Sequence, residues 1–119
     1  MNMNQELIFV YNANSGKWNA YMDTLHKLFS PKTYACKLCA ITHGSFGMKQ
    51  EWAEFIKDFP IPLRFLHKDE WAEEFNLNEK LPAVFMLKGG HIETFIGAEE
   101  MNHFDLEQLK SCIIEKLKT

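Results

Sequence analysis

Residues 36–43 read CKLCAITH, and the assignment of this run sets the number of strands in the sheet. A short apolar run that ends in the turn residues Gly44-Ser45-Phe46-Gly47 predicts a buried strand of a parallel sheet. The run also holds Cys36-x-x-Cys39, the spacing that redox enzymes use to cycle a disulfide. A strand and a dithiol place conflicting demands on one stretch of backbone.

Working outward, residues 6–11 (ELIFVY) form a second continuous apolar run, predicted as a strand buried on both faces. NANSG follows with turn chemistry, and Trp18, Tyr21, Met22, Leu25 and Phe29 then recur at helical spacing until Ser30-Pro31. On the other side, Met48, Trp52, Phe55, Ile56 and Phe59 make a helical stripe closed by Pro60 and Pro62. LRFLH (63–67) predicts a strand, and Asp69 is placed to cap a short helix carrying Trp71 and Phe75. PAVFML and IETFIG, joined through Lys88-Gly89-Gly90-His91, predict a hairpin. Asp105 with Gln108 makes a capping-box start for a last helix striped by Leu106, Leu109, Ile113 and Leu117. The expected order is βαβαβαββα.

The stretch FLHKDEWAEEFNLNEKLPAVFMLKGGHIETFIGA (65–98), with Leu81-Pro82-Ala83 ahead of the hairpin, resembles the closing half of the thioredoxin superfamily. The resemblance implies one thioredoxin-like α/β domain over residues 1–119. Its mixed sheet would be five-stranded, in the order first, third, second, fourth, fifth, with helices on both faces and the last two strands antiparallel to the others. Leu81-Pro82 matches the family's cis-proline, where a tertiary amide makes the cis bond accessible. The family's Cys-x-x-Cys falls on Ser45-Phe46-Gly47-Met48, without cysteine, and its buried acid falls near Cys39. The dithiol is missing from its usual place, which implies a non-redox member.

In doubly wound sheets ligands gather beyond the carboxyl ends of parallel strands. That rule points to the loops 12–17 and 43–49, facing Pro82. Asn12, Asn14, Lys17, His43, Ser45, Lys49 and Pro82 are therefore the candidate residues for holding a peptide or a small anionic ligand, with Tyr11 beside them. The plainer role for these polar loop residues is to face water. The alternative is a thiol–disulfide oxidoreductase or metal-binding protein using Cys36 and Cys39. On an extended strand their Cα atoms stand roughly 10 Å apart on opposite faces, whereas a disulfide needs about 7 Å or less. The pair meets only if Cys36 precedes the strand or the backbone bends, and both are otherwise small apolar core residues. A lone Cys-x-x-Cys lacks the four ligands of a structural zinc site, so no metal or other cofactor is expected, and whether the chain is an enzyme stays open.

Composition excludes several classes. The 119 residues carry a formal charge of −3 with no basic run interleaved with aromatics, which argues against nucleic acid. MNMNQELIFV has no signal-peptide pattern and no apolar run nears the ~18 residues of a membrane span, so a cytoplasmic chain is expected. Three cysteines without an export signal predict reduced thiols. NANSGKW lacks the glycine and the hydroxyl residue of a phosphate loop, having Tyr11 and Trp18 there. An exposed sheet edge would also allow a homodimer.

Overall fold

The computed structural model describes residues 5–17, 37–44 and 47–118. Strand β1 spans Gln5–Tyr11 and runs into a 3-10 turn at Ser15–Lys17. Helix α1 (Lys37–Thr42) is followed by the short strands β2 (His43–Gly44) and β3 (Gly47–Met48) and by α2 (Gln50–Lys57). Then come β4 (Leu63–His67), α3 (Lys68–Phe75), β5 (Ala83–Lys88), β6 (His91–Ile96), α4 (Ala98–Met101) and α5 (Leu106–Lys118).

Among the described residues the main sheet has four strands, not five, in the order β4-β1-β5-β6. Strand β1 is parallel to β4, with Phe9 opposite Phe65, and antiparallel to β5, with Phe9 opposite Val84. Strand β6 pairs antiparallel with β5, and Gly89 and Gly90, at φ +58° and +83°, make the left-handed two-residue turn between them. Such dihedrals are cheap only for glycine, which has no Cβ to clash.

The five-stranded thioredoxin-like sheet expected from the sequence is overturned at residues 36–43. In place of a central strand lie helix α1 and a two-residue ladder, His43 opposite Met48 and Gly44 opposite Gly47. The burial pattern explains this. Leu38, Cys39, Ile41 and Thr42 are buried while Ala40 is only half-buried, a one-sided helical pattern and not an alternation of two. A short apolar run fits either a buried strand or a buried helix, and tertiary context decides. Strand β1, expected at the edge of the sheet, instead occupies the place between β4 and β5 that the 36–43 strand was expected to fill, and of the last two strands only β5 opposes β1 and β4, since β6 is antiparallel to β5. Thr42 also donates its hydroxyl to the Leu38 carbonyl at 2.7 Å, a bond available only where residues four apart share a helical turn.

Both faces of β1 are covered. Leu7, Phe9 and Tyr11 join the larger cluster with Leu38, Trp52, Met101, Leu109 and Ile113 of α1, α2, α4 and α5. Ile8 and Val10 face the smaller cluster, where α3 contributes Trp71 against Ala83 and Phe85. Phe9 stacks on Phe65 at 4.9 Å and meets Trp52 edge-on at 5.5 Å. Trp71 stacks on Phe85 at 4.2 Å. Each such pair adds about 0.5–1.5 kcal/mol beyond the area it buries.

The remaining expectations meet the structure element by element. Asp105 and Gln108 exchange backbone-to-side-chain bonds of 2.9 and 2.8 Å at the start of α5, the reciprocal cap read from their spacing. Leu81-Pro82 is cis. Helix α3 is preceded by His67, whose backbone N–H donates to Glu70 Oε1 at 2.7 Å, so Asp69 is not its cap. The helix expected from Trp18 to Phe29, together with Cys36 and Ser45, lies outside the described residues.

Candidate functional site at the carboxyl ends of β1 and β4

Parallel pairing brings Tyr11, the last residue of β1, opposite His67, the last of β4. The chain leaves both strands at this pole, one way into the 12–17 loop and the other directly into α3. The loop is tied to the first turn of α3. Lys68 N–H donates to the Ala13 carbonyl at 3.0 Å. Ser15 donates twice to Asp69, from its N–H at 2.9 Å and its hydroxyl at 2.6 Å. Those bonds from Ser15 hold the exposed Asp69 carboxyl below its ordinary range.

Tyr11 forms the centre of the pole. Its ring lies 5.9 Å from the His43 ring, edge-on, and 5.8 Å from the His67 ring, tilted. Burial pushes the Tyr11 phenol far above its ordinary value, so it stays protonated through the physiological range. His67 Nδ1 lies 2.9 Å from Glu70 Oε1, and the backbone N–H and ring of His67 together hold Glu70 below its ordinary range.

His43 arrives from the other side, directly after α1. Its Nδ1 is 2.9 Å from Thr42 Oγ1. Burial, and secondarily the Lys49 charge, push the His43 imidazole below its ordinary value. Lys49 N–H donates to the Thr42 carbonyl at 2.9 Å, closing the 43–48 hairpin and keeping the lysine next to the histidine.

The residues expected at this pole are thus partly gathered. Pro82 is buried and precedes Ala83, which pairs with Val10, so it lies beside the end of β1. Asn12 is half-buried in the turn after Tyr11, and Asn14 is exposed. Lys17 closes the 3-10 turn. His43 and Lys49 come together as described. Sequence reasoning missed His67 and the Ser15–Asp69 link, because only the pairing of β1 with β4 makes these partners neighbours. The available signal was the rule that parallel strands end at a common pole.

The cysteines divide sharply. Cys39 lies within α1, is completely buried in the larger cluster and is disulfide-bonded. The expectation of reduced thiols throughout therefore fails at this residue. Cys112 is a free, half-buried thiol, its Sγ 3.9 Å from Glu100 Oε2. Burial, with the Glu100 charge, pushes it up and away from reactivity.

Among the described residues no three His, Cys, Asp or Glu side chains converge as a metal site, and no helix is long and apolar enough to cross a membrane. No protein-family model, curated protein or solved structure matches the chain.

Proposed function

We propose that the chain is a thiol–disulfide redox protein whose dithiol is Cys36 and Cys39. The observation that carries this reading is the disulfide on Cys39. Of the three cysteines Cys112 is free, and the proposal takes Cys36, which lies outside the described residues, as the partner sulfur. The distance objection to the pair applied to a strand. Cys39 sits instead within a helix that begins at Lys37, so the spacing worked out for an extended strand no longer applies to it. A sulfur held in a disulfide offers no thiolate to a metal, so the redox half of the alternative is favoured over the metal half.

On this reading the two sulfurs have different tasks. Cys39 is buried and cannot reach a substrate, so Cys36 attacks and Cys39 resolves the mixed disulfide. The substrate class is an accessible disulfide or dithiol. A kinship with the thioredoxin superfamily belongs to the proposal, with a four-stranded sheet and the dithiol displaced from the family's position. A second reading, supported by the gathering of His43 with Lys49, is that this pole also holds a peptide or a small anion. It predicts a rise in melting temperature with phosphate or carboxylates.

The test is a redox titration of the full chain carrying Cys112→Ser, by thiol labelling and intact mass across a glutathione series. A reversible two-electron couple between roughly −120 and −270 mV is expected. A couple below about −300 mV would make the disulfide structural and overturn the proposal.

A further inference from the structure

We propose that two copies of this chain associate through β6, edge to edge and antiparallel, about a two-fold axis at Ile92. The inference goes beyond the redox reading and does not depend on it. Strand β6 ends the four-stranded sheet, and its His91, Glu93 and Thr94 are exposed. The two-residue turn at Gly89-Gly90 fixes which backbone groups are already used. It makes Lys88 and His91 a hydrogen-bonded pair, and the alternation along an antiparallel ladder makes Met86 and Glu93 the next. Leu87–Ile92 and Phe85–Thr94 are the pairs between, so the N–H and C=O of Ile92 and Thr94 point away from β5. Among the described residues no other backbone group bonds to them. Such an edge is a template for a further strand. The opposite edge, β4, is half-buried along its whole length, which leaves β6 as the open one.

Charge and backbone form select the register. With the axis at Ile92, His91 of each copy stands opposite Glu93 of the other, an imidazole facing a carboxylate twice over. These are non-hydrogen-bonded pairs of the new ladder, where Cα atoms approach to about 4.5 Å and side chains meet. Lys88, exposed and opposite His91 on β5, adds positive charge on the same face. An axis one residue on, at Glu93, would set two carboxylates against each other. An axis at Thr94 meets the irregularity between Val84 and Phe85, where Phe95 has no partner on β5 and the bulge twists the strand. Ile92 itself is half-buried beside the smaller cluster, and the axis packs it on its own copy. Opposite charges placed symmetrically about an apolar residue are what a second copy complements, which names the occupant.

The pairing joins two four-stranded sheets into one, with β6 of each copy at its centre. Lys88, opposite His91, also pairs with Gln5, the first residue of β1, whereas the candidate pole lies beyond Tyr11, the last. The contact is therefore at the far end of the sheet from the pole. The two-fold axis sends the two poles to opposite ends of the dimer.

The experiment is sedimentation equilibrium of the full chain carrying Cys112→Ser, which removes the free thiol. So short a pairing falls below the ~1,600 Å² of a standard interface, so concentrations from about 10 µM to about 1 mM are covered. A reversible monomer–dimer equilibrium is expected. Glu93→Lys should raise the dissociation constant about tenfold, since two favourable pairs become unfavourable. Adding His91→Glu to Glu93→Lys restores opposite charges and should return the constant to near its parent value, a rescue that a damaged fold would not show. Hydrogen exchange gives a second readout. The Ile92 amide should slow as concentration rises, while those of His91 and Glu93, already bonded to β5, should not change. A chain that stays monomeric throughout this range overturns the inference, as does a dimer indifferent to both charge changes or one whose Ile92 amide stays unprotected. Protection of Ile92 by an unrelated extended peptide without self-association would name a peptide as the occupant and overturn the second copy.

Discussion

Replacing Trp71 with alanine should detach α3 from the sheet. Trp71 is 1% exposed and is the one buried side chain of α3. It fills the smaller cluster by stacking on Phe85, with Phe75 tilted against it at 4.6 Å. Burial of about 200 Å² at ~25 cal/mol per Å² corresponds to roughly 5 kcal/mol for the whole side chain. Alanine retains part of that area. The indole Nε1 finds no hydrogen-bond partner among the described residues, and removing it recovers about 1 kcal/mol. A net loss of about 3–4 kcal/mol remains, consistent with the range for large-to-alanine changes. With an unfolding entropy of ~2.1 cal/mol/K per residue, that is a drop of roughly 12–16 °C. Trp71→Phe keeps the stack and removes the unpaired donor, so it should cost less than about 1 kcal/mol. Urea unfolding gives the stabilities. Native-state hydrogen exchange should show the α3 amides losing protection well before those of β1, with the 12–17 loop following α3 through Lys68 and Asp69. An alanine variant within about 1 kcal/mol of the parent, or α3 and β1 exchanging only together, would refute this account of the smaller cluster.

Three further outcomes are expected. If residues 37–42 form a helix, Ala40→Gly should cost about 1 kcal/mol and Ala40→Val about 0.5 in urea unfolding, whereas in a strand the valine would be neutral or stabilising. For pH, His43 is neutral in folded and unfolded chains above its unfolded value of 6.5. As pH falls from there through its lowered folded value, the unfolded chain binds the proton first and stability declines, a slope that His43→Asn should remove. At lower pH, Asp69 and Glu70 stabilise the fold above their unfolded values of 3.8 and 4.5. That contribution is lost as pH drops through their depressed folded values, which urea midpoints from pH 3 to 8 would follow.

What was legible in the sequence was local. The Gly89-Gly90 turn, the Asp105–Gln108 cap and the apolar run of β1 each carry their signal within a few residues, and each stands in the fold as read. The run at 36–43 was not decidable this way, because its apolar content suits a buried helix as well as a buried strand. Two facts settle it, the place of β1 between β4 and β5 and the Thr42 bond to Leu38, and both belong to tertiary context or backbone form. At the pole, His43 and Lys49 were legible as a pair because a short hairpin joins them. His67 and Asp69 were not, since the bonds from Ser15 to Asp69 span 54 residues and no local pattern announces them.

The central place of β1 has a consequence for how the protein is made. Leu7 pairs with Leu63 and Val10 with Ala83, so β1, made before the other three strands of this sheet, must wait for both β4 and β5 before its hydrogen bonds are complete. At ~5–20 residues per second, a nascent chain carries Leu7-Ile8-Phe9-Val10 unpaired for several seconds before β5 emerges. Pairings this distant also slow folding itself. Chains stalled before Leu63 would display a sticky strand with no sheet to join, a natural substrate for chaperones.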